Sequence, residues 1–276
     1  MRVAGRIQAR TCGVGRSFAK VGMRDKSGLW TKNVTIMALA WGLLLVTFLL
    51  PNVRLDGGFS RWLVRLTLSA GVPGAVAISL VGIALLTYHS GVPWKLLLQR
   101  LATHVTVLAV LLGGGAAVNE WVIKPALSVP RPNIERLAEE QALGMTAEEF
   151  YASMDKQQRR GYLRQVLMDP AFHSIALDAS VRDHWIHETG YSLPSGHAFT
   201  AMLLAGYFLG MGSGVVERWR RRVFYLLPVW AVAIGCSRVL LRVHRPSDVV
   251  WGGGIGISLA VVGVCLSRWL SRERRR

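Results

Sequence analysis

Acid is scarce in this chain. Its 276 residues include 16 Asp and Glu against 33 Lys and Arg, a formal net charge of +17, and the isoelectric point is near 11.0. Charge of either sign is thin as well: charged residues make up 18% and hydrophobic residues 51%, and the mean hydropathy is +0.34. A strongly basic chain first suggests nucleic acid as partner. A soluble binder of that kind is polar overall, so no nucleic-acid partner is expected. The apolar content equally excludes intrinsic disorder. Cysteine is scarcer still. Cys12, Cys236 and Cys265 stand far apart, without a CxxC or a metal-ligand spacing, which excludes a disulfide framework; they read as small apolar packers. No internal repeat is present, and the paired, interrupted halves of many transporters are missing with it.

What the chain has instead is hydrophobic runs: Val34–Leu50, Val72–Tyr88, Leu101–Ile123, His197–Gly214, Val223–Leu241 and Val249–Ser267, each of 17–23 residues. About 20 residues span a bilayer core, and in lipid the backbone must satisfy itself, so the runs are expected to be helices. Residues 1–33 read as a loose basic tail, with Met23 a second candidate start. A signal peptide is the rival for the first run, but no small-residue cleavage site follows at Pro51-Asn52-Val53. Phe59–Leu68 sets Arg61 and Arg65 one turn apart beside Trp62, Leu63 and Leu66, the pattern of a short interfacial amphipathic helix. The polar stretch 125–194 holds ten of the acids, and Thr146 with Glu149 has the spacing of a capping box, so this insertion is expected to be helical. Gly113-Gly114-Gly115 and Gly252 with Gly256 read as close helix packing. The expected fold is an all-α integral membrane protein of six transmembrane helices (34–267), with a helical extracytoplasmic insertion between helices 3 and 4 and a short basic tail at 268–276.

Positive residues favour the cytoplasmic side of a membrane. With six spans, both tails and the 2–3 and 4–5 loops share one face and carry nineteen bases against three acids, while the remainder of the chain has a net charge of only +1. That asymmetry puts both termini inside. Three unusual polar clusters then fall together on the outer face: Lys124 to Arg131-Pro132, Pro194-Ser195-Gly196-His197, and Ser237-Arg238 with Arg242, His244 and Asp248.

Each cluster has a plain reading taken alone. Basic residues at helix ends snorkel to headgroups, Ser195 caps a helix, and His244 with Asp248 makes a structural pair. Ionisable residues at spanning depth are functional by default, however, and three sets converge here. Lys and Arg without acid partners nearby make an anion site, with Arg offering bidentate forks to phosphate oxygens. Ser195 and the Gly196 N–H add a helix N-terminus, where anions are favoured. Two histidines suit a nucleophile and a general acid, and Asp248, one turn from His244, can fix its tautomer. Which histidine attacks stays open on chemistry alone. No carboxylate cluster is placed to hold Mg²⁺, so no metal and no cofactor is expected.

Lys-x6-Arg-Pro, Pro-Ser-Gly-His and Ser-Arg-x5-His-x3-Asp resemble the three-part signature of the type 2 phosphatidic acid phosphatase superfamily, complete and in order. Trp121-Val122-Ile123 and His184 to Gly190 are similar to its bacterial phosphatidylglycerophosphatase B branch. The resemblance implies that His244 is the nucleophile forming a phosphohistidine, oriented by Asp248, and that His197 protonates the leaving oxygen. Lys124, Arg131, Ser195, Gly196 and Arg238 would hold the phosphoryl group. It also implies lipid phosphate substrates (phosphatidylglycerophosphate, undecaprenyl pyrophosphate, phosphatidic acid), a bacterial inner membrane, a site facing the periplasm or cell exterior, and no obligate protein partner. The alternatives are a lipid-phosphate transporter or scramblase without hydrolysis, and a vanadate-holding haloperoxidase-like relative.

Several residues carry two readings. Glu120 reads as a salt bridge tuning Lys124. His173, His184, His187 and Glu188 have no standard metal spacing and read as a solvated loop face. Arg242 and Arg245 touch either the substrate head or bilayer headgroups. Trp185 packs over an acyl entrance or joins an interfacial belt.

Overall fold

A computed structural model describes residues 14–88, 93–169, 175–215 and 217–273. Cys12, His173, Arg2, Arg6, Arg10 and Arg274 to Arg276 lie outside the described residues. Among the described residues the regular structure is helical, apart from one isolated parallel bridge between Leu55 and Leu177.

The first helix, α1, runs over Val14–Leu43 and tightens into a 3₁₀ stretch at Leu44–Leu49. It begins well inside the segment expected to be a loose tail. No proline precedes Pro51, so nothing stops a helix nucleated in the apolar run from propagating backwards. Helix α2 (Gly58–Leu68) is the expected amphipathic helix; it buries Ser60, Leu63, Val64 and Thr67 and leaves Phe59 and Trp62 exposed. A bend of 58° separates it from α3 (Val72–Thr87). Helix α4 (Trp94–Leu127) extends 34 residues, starting earlier than the apolar run because Lys95 and Arg100 continue the helix without being apolar. Its turns widen into π-helix at Val110–Gly114 and Asn119–Ile123.

The insertion folds into four short helices: α5 (Pro132–Glu139), α6 (Ala147–Ser153), α7 (Lys156–Met168) and α8 (Ala179–His187). The capping box at Thr146 and Glu149 is present, and a second is formed by Asp155 and Gln158. These helices build their own core, in which Ile134, Leu137, Phe150, Leu163, Val181 and Trp185 are fully buried, packed against Leu63, Leu241 and Val243. Trp185 therefore neither guards an acyl entrance nor joins a belt; its indole N–H donates to the Leu241 carbonyl at 2.9 Å.

The second core surrounds α9 (Gly196–Gly212), which packs against α1, α3, α10 (Arg218–Leu240) and α11 (Pro246–Glu273). Being apolar all round, α9 is buried all round: Ala198 through Leu209 includes ten residues at 3% exposure or less. Gly252 and Gly256 of α11 let it lie directly on α9, since a Cβ at either would come within 2.3 Å of the Ser195 carbonyl oxygen or 2.4 Å of that of Phe199. The packing expected of the Gly113–Gly115 run holds only for Gly115, whose Cβ would strike Phe199; Gly113 and Gly114 face open space.

Among the described residues, four helical stretches are long and apolar enough to cross a membrane, namely Gly28–Leu49, Trp94–Leu127, Arg218–Leu240 and Pro246–Ser271, with the bent α2–α3 pair a fifth. Helix α9, at 17 residues, is shorter than the roughly 20 residues of a full crossing. The outward faces are greasy: Leu39, Val76, Leu80, Val229 and Trp251 are all more than half exposed, a surface that water does not tolerate and lipid does. Trp94, Trp219 and Trp269 stand exposed near the basic ends of their helices, where amphipathic rings settle at headgroup level.

Candidate active site

Four chain segments deliver the polar clusters to one place. Lys124 sits in the last turn of α4, Arg131 immediately precedes α5, Ser195 caps α9, and Arg238 lies in the last turn of α10. The reversal into α11 is tight: Arg242 takes a left-handed backbone (φ 58°), and the Val243 and His244 N–H groups both point back to the Arg238 carbonyl. That turn carries His244 inward, with Asp248 following on the first turn of α11. The Ser195 N–H donates to the Asp248 carbonyl at 2.9 Å, tying the start of α9 to the start of α11.

His244 is 2% exposed, and its two ring nitrogens have different company. Nδ1 lies 3.4 Å from Asp248 Oδ2 and 3.3 Å from Ser192 Oγ. The same carboxylate oxygen accepts from the Ser192 hydroxyl and, at 2.8 Å, from the Arg245 N–H. Nε2 lies 3.2 Å from Arg131 Nη1. Because a guanidinium only donates, Nε2 is the ring's unprotonated nitrogen and Nδ1–H faces Asp248. Burial, reinforced by Arg131 and Arg238, holds the imidazole well below its ordinary pKa, so the ring is neutral.

Arg131 is 3% exposed and fully directed: Nε donates to the Gly190 carbonyl at 2.7 Å, Nη1 to that of Val243 at 3.0 Å, and Nη2 meets Glu188 Oε2 at 2.8 Å. Arg238, with no exposed surface, uses Nη1 on Thr67 Oγ1 and His184 Nε2, both at 3.0 Å, and Nη2 on Glu188 Oε1 at 2.5 Å. Glu188 thus bridges the two arginines. Burial alone would raise its pKa, but Arg131 and Arg238 more than offset that and hold the carboxyl well below the usual range. His184 is pushed down to about 4 by burial and by Arg238, which keeps it a neutral acceptor. Lys124 Nζ contacts Glu120 Oε2 at 2.9 Å, the expected pair, and Lys156 of α7 binds the other oxygen.

Two expectations are corrected here. The basic cluster does have acid partners: Glu120, one turn before Lys124 as expected, and Glu188, which reaches Arg131 and Arg238 from the insertion, a segment that the sequence pattern does not place beside them. His184 and Glu188 are not a solvated face: His184 is buried and Glu188 is largely covered, both against Arg238, since α8 folds its last turn under the α10–α11 reversal. Ser192, two residues before the Pro-Ser-Gly-His cluster, was also missed; its only signal was proximity in sequence.

Beside these groups lies a cavity of about 820 Å³. One end is lined by Lys124, Arg131, Glu188, Gly196, His197 and His244; the rest runs between α3 (Val72, Val76, Leu80, Ile83) and α4 (Leu108, Leu112). Val72, Val76 and Leu80 are also exposed on the outside of the bundle, so this apolar trough opens sideways. Ser195, Arg238 and Asp248 are buried behind the wall rather than lining it. His197 lies against the α2–α3 bend, where a Cβ on Gly71 would come within 3.9 Å of its Nε2. A nucleophilic nitrogen, cations at one end and an apolar trough at the other suit an anionic head on a greasy body.

Comparison with known proteins agrees. The profile of the PAP2 superfamily matches residues 103–272, a span that contains every cluster residue from Lys124 to Asp248. Phosphatidylglycerophosphatase B of Escherichia coli (strain K12) is 30% identical over 164 residues, 59% of this chain and 59% of its own length. The proteins of the same name from Haemophilus influenzae and Bacillus subtilis (strain 168) are 27% identical over 194 residues and 35% identical over 77 residues. These matches cover 68% and 27% of this chain, and 74% and 38% of those proteins. The chain therefore spans less than two thirds of the length of the Escherichia coli relative.

Proposed function

The chain belongs to the PAP2 superfamily, and on that premise we propose that it is a membrane-embedded phosphatase of lipid phosphates. One observation carries the reading: a single cavity joins His244 Nε2, Arg131 and Lys124 to an apolar trough that opens sideways between α3 and α4. A lipid phosphate needs both ends.

In the proposed reaction the phosphate enters beside Arg131 and Lys124, with the Gly196 N–H at the start of α9 as a further donor. Ser195 supports that turn from behind, and Arg238 acts from behind by steadying Glu188. His244 Nε2 attacks phosphorus; the P–N bond forms as the P–O bond to the lipid breaks, and His197, which the bound phosphate dianion favours in its protonated form, gives its proton to the departing oxygen. The ring is now cationic, with Nδ1–H held by Asp248. Water then attacks, His197 takes one of its protons, the P–N bond breaks, and hydrogen phosphate leaves with His244 neutral again. Glu120, Glu188 and Asp248 are each engaged by Lys, Arg or His, so the phosphate oxyanions are neutralised by Arg and Lys rather than by a metal.

The substrates we infer are phosphatidylglycerophosphate, undecaprenyl pyrophosphate and phosphatidic acid. The topology we infer counts α9 as the sixth span, with both termini in the cytoplasm and the site at the outer face of the inner membrane. The basic residues of the tails and of the 2–3 and 4–5 loops support that orientation. The test is phosphate release by purified protein from phosphatidylglycerophosphate and undecaprenyl pyrophosphate, with and without a chelator. Release that persists with chelator and vanishes in His244→Ala supports the reading; lipid flux across vesicles with no release overturns it.

A further inference from the structure

His244 borders two cavities, not one. The second, of about 500 Å³, is polar and lies on the insertion side, between α5 and the α10–α11 turn; Asn52, Glu135, Arg136, Glu139, Arg242 and Arg245 line it. A neighbouring cavity of about 370 Å³ shares Asn52, Arg136 and Arg242 with it and reaches Arg54 and Asp56. Most of the charges are matched: Arg136 pairs with Glu140, and Arg245 with Glu135. Arg242 is different. Its Nη2 donates to the Val53 carbonyl at 3.1 Å, its Nε is buried without a partner, and no carboxylate among the described residues lies within ion-pair distance of it. Arg136 stands with Arg242 in both cavities but has Glu140 as its partner, which leaves Arg242, among the described residues there, as the cation without a carboxylate of its own.

Resting on the phosphatase reading above, we propose that this second cavity is an aqueous door through which inorganic phosphate leaves His244, with Arg242 as its first stopping point. The two products differ in kind. The dephosphorylated lipid belongs in the apolar trough, whereas a hydrogen phosphate dianion meets a steep desolvation cost there. Water must also reach the phosphohistidine to form the new P–O bond as the P–N bond breaks, and the polar cavity is the wet side of His244. Separate routes let phosphate depart while the lipid still fills the trough.

The experiment compares wild type, Arg242→Gln and Arg242→Lys in detergent. One measurement is single-turnover cleavage of a lipid phosphate. The other is the enzyme-catalysed loss of ¹⁸O from labelled inorganic phosphate, at phosphate well below saturation, which requires phosphate to enter, form the phosphohistidine and leave again. Removing a steering charge slows such entry by about tenfold or more. The expected result is a tenfold slower exchange in Arg242→Gln, lipid cleavage within twofold of wild type, and exchange largely restored in Arg242→Lys. Exchange at the wild-type rate in Arg242→Gln overturns the door, as does an equal loss in both reactions, which would place Arg242 in the chemistry itself. Absence of both reactions in the wild type instead overturns the phosphatase reading.

Discussion

Replacing Glu188 by Gln removes one negative charge from between two buried arginines and changes little else in shape. At an effective dielectric near 20, each contact at the observed 2.5 and 2.8 Å is worth about 6 kcal/mol of gross attraction. Desolvation of the three ions offsets much of that, and removing one partner of a buried pair typically costs about 3–5 kcal/mol. Gln keeps a carbonyl for one guanidinium but turns N–H groups toward the other, so the lower end, about 3 kcal/mol, is the expected loss. In a detergent melt this is a fall of at least about 5 °C at pH 7. The pH dependence has a definite sign. Glu188 ionises well below its ordinary value in the folded protein, so its contribution is complete above the unfolded pKa of about 4.3 and is lost as pH falls through the lower folded value. The gap between wild type and Glu188→Gln should stay constant from pH 8 to 5 and close only below about pH 4. Inorganic phosphate should narrow it by replacing the missing charge. A variant melting within about 1 °C of wild type at pH 7 would refute the bridging role and the electrostatic reasoning behind it.

Other perturbations separate chemistry from packing. Asp248→Asn keeps the shape beside His244 Nδ1 but not the charge, and turnover of a lipid phosphate should fall by about 10²–10⁴ with little change in KM. Ala75→Phe places a ring in the trough wall; it should raise KM several-fold for long-chain substrates and spare short-chain ones, as a chain-length series will show. Gly256→Ala drives a Cβ to within 2.4 Å of the Phe199 carbonyl oxygen and should lower the melting temperature by the equivalent of about 1–3 kcal/mol. Gly113→Ala, whose Cβ meets nothing within 4 Å, should leave it unchanged or raise it slightly.

Much of the site was legible because its residues announce themselves by depth. Lys124, His244 and Asp248 are ionisable groups at the ends of apolar runs, and such positions are conspicuous however the chain folds; Arg131 follows seven residues after Lys124. Glu188 and His184 were not legible: they sit in a polar insertion where acids and histidines are ordinary, and only the docking of α8 under the α10–α11 turn buries them. The helices themselves followed from hydrophobic runs, but their ends did not. Helix α1 propagates into the basic segment and α4 starts before its apolar stretch, because helix termini are set by stop signals such as proline and by caps, not by where hydropathy fades. The glycines divide for a related reason. Whether a glycine admits a neighbouring helix depends on which way its face points, and Gly113 and Gly114, in a π-helical turn of α4, face open space.

Burial also separates the two acidic partners of the basic cluster proposed as a phosphate clamp. Glu120 joins Lys124 to Lys156, and so fastens α4 to the insertion, but Lys156 is half exposed and Glu120 one-third exposed. Water screens such a pair, so Lys156→Met should cost less than about 1 kcal/mol in stability, although the pair matches the Glu188 bridge in contact length. Its effect should surface in function instead: with Lys156 gone, Glu120 is left to Lys124 alone and competes harder with an arriving phosphate for the same ammonium. KM for a lipid phosphate should rise by severalfold while kcat and the melting temperature hold, and the rise should shrink at high salt, where exposed charges are screened. If KM stays at the wild-type value, Lys124 is not the cation that meets the substrate, and the clamp reduces to Arg131.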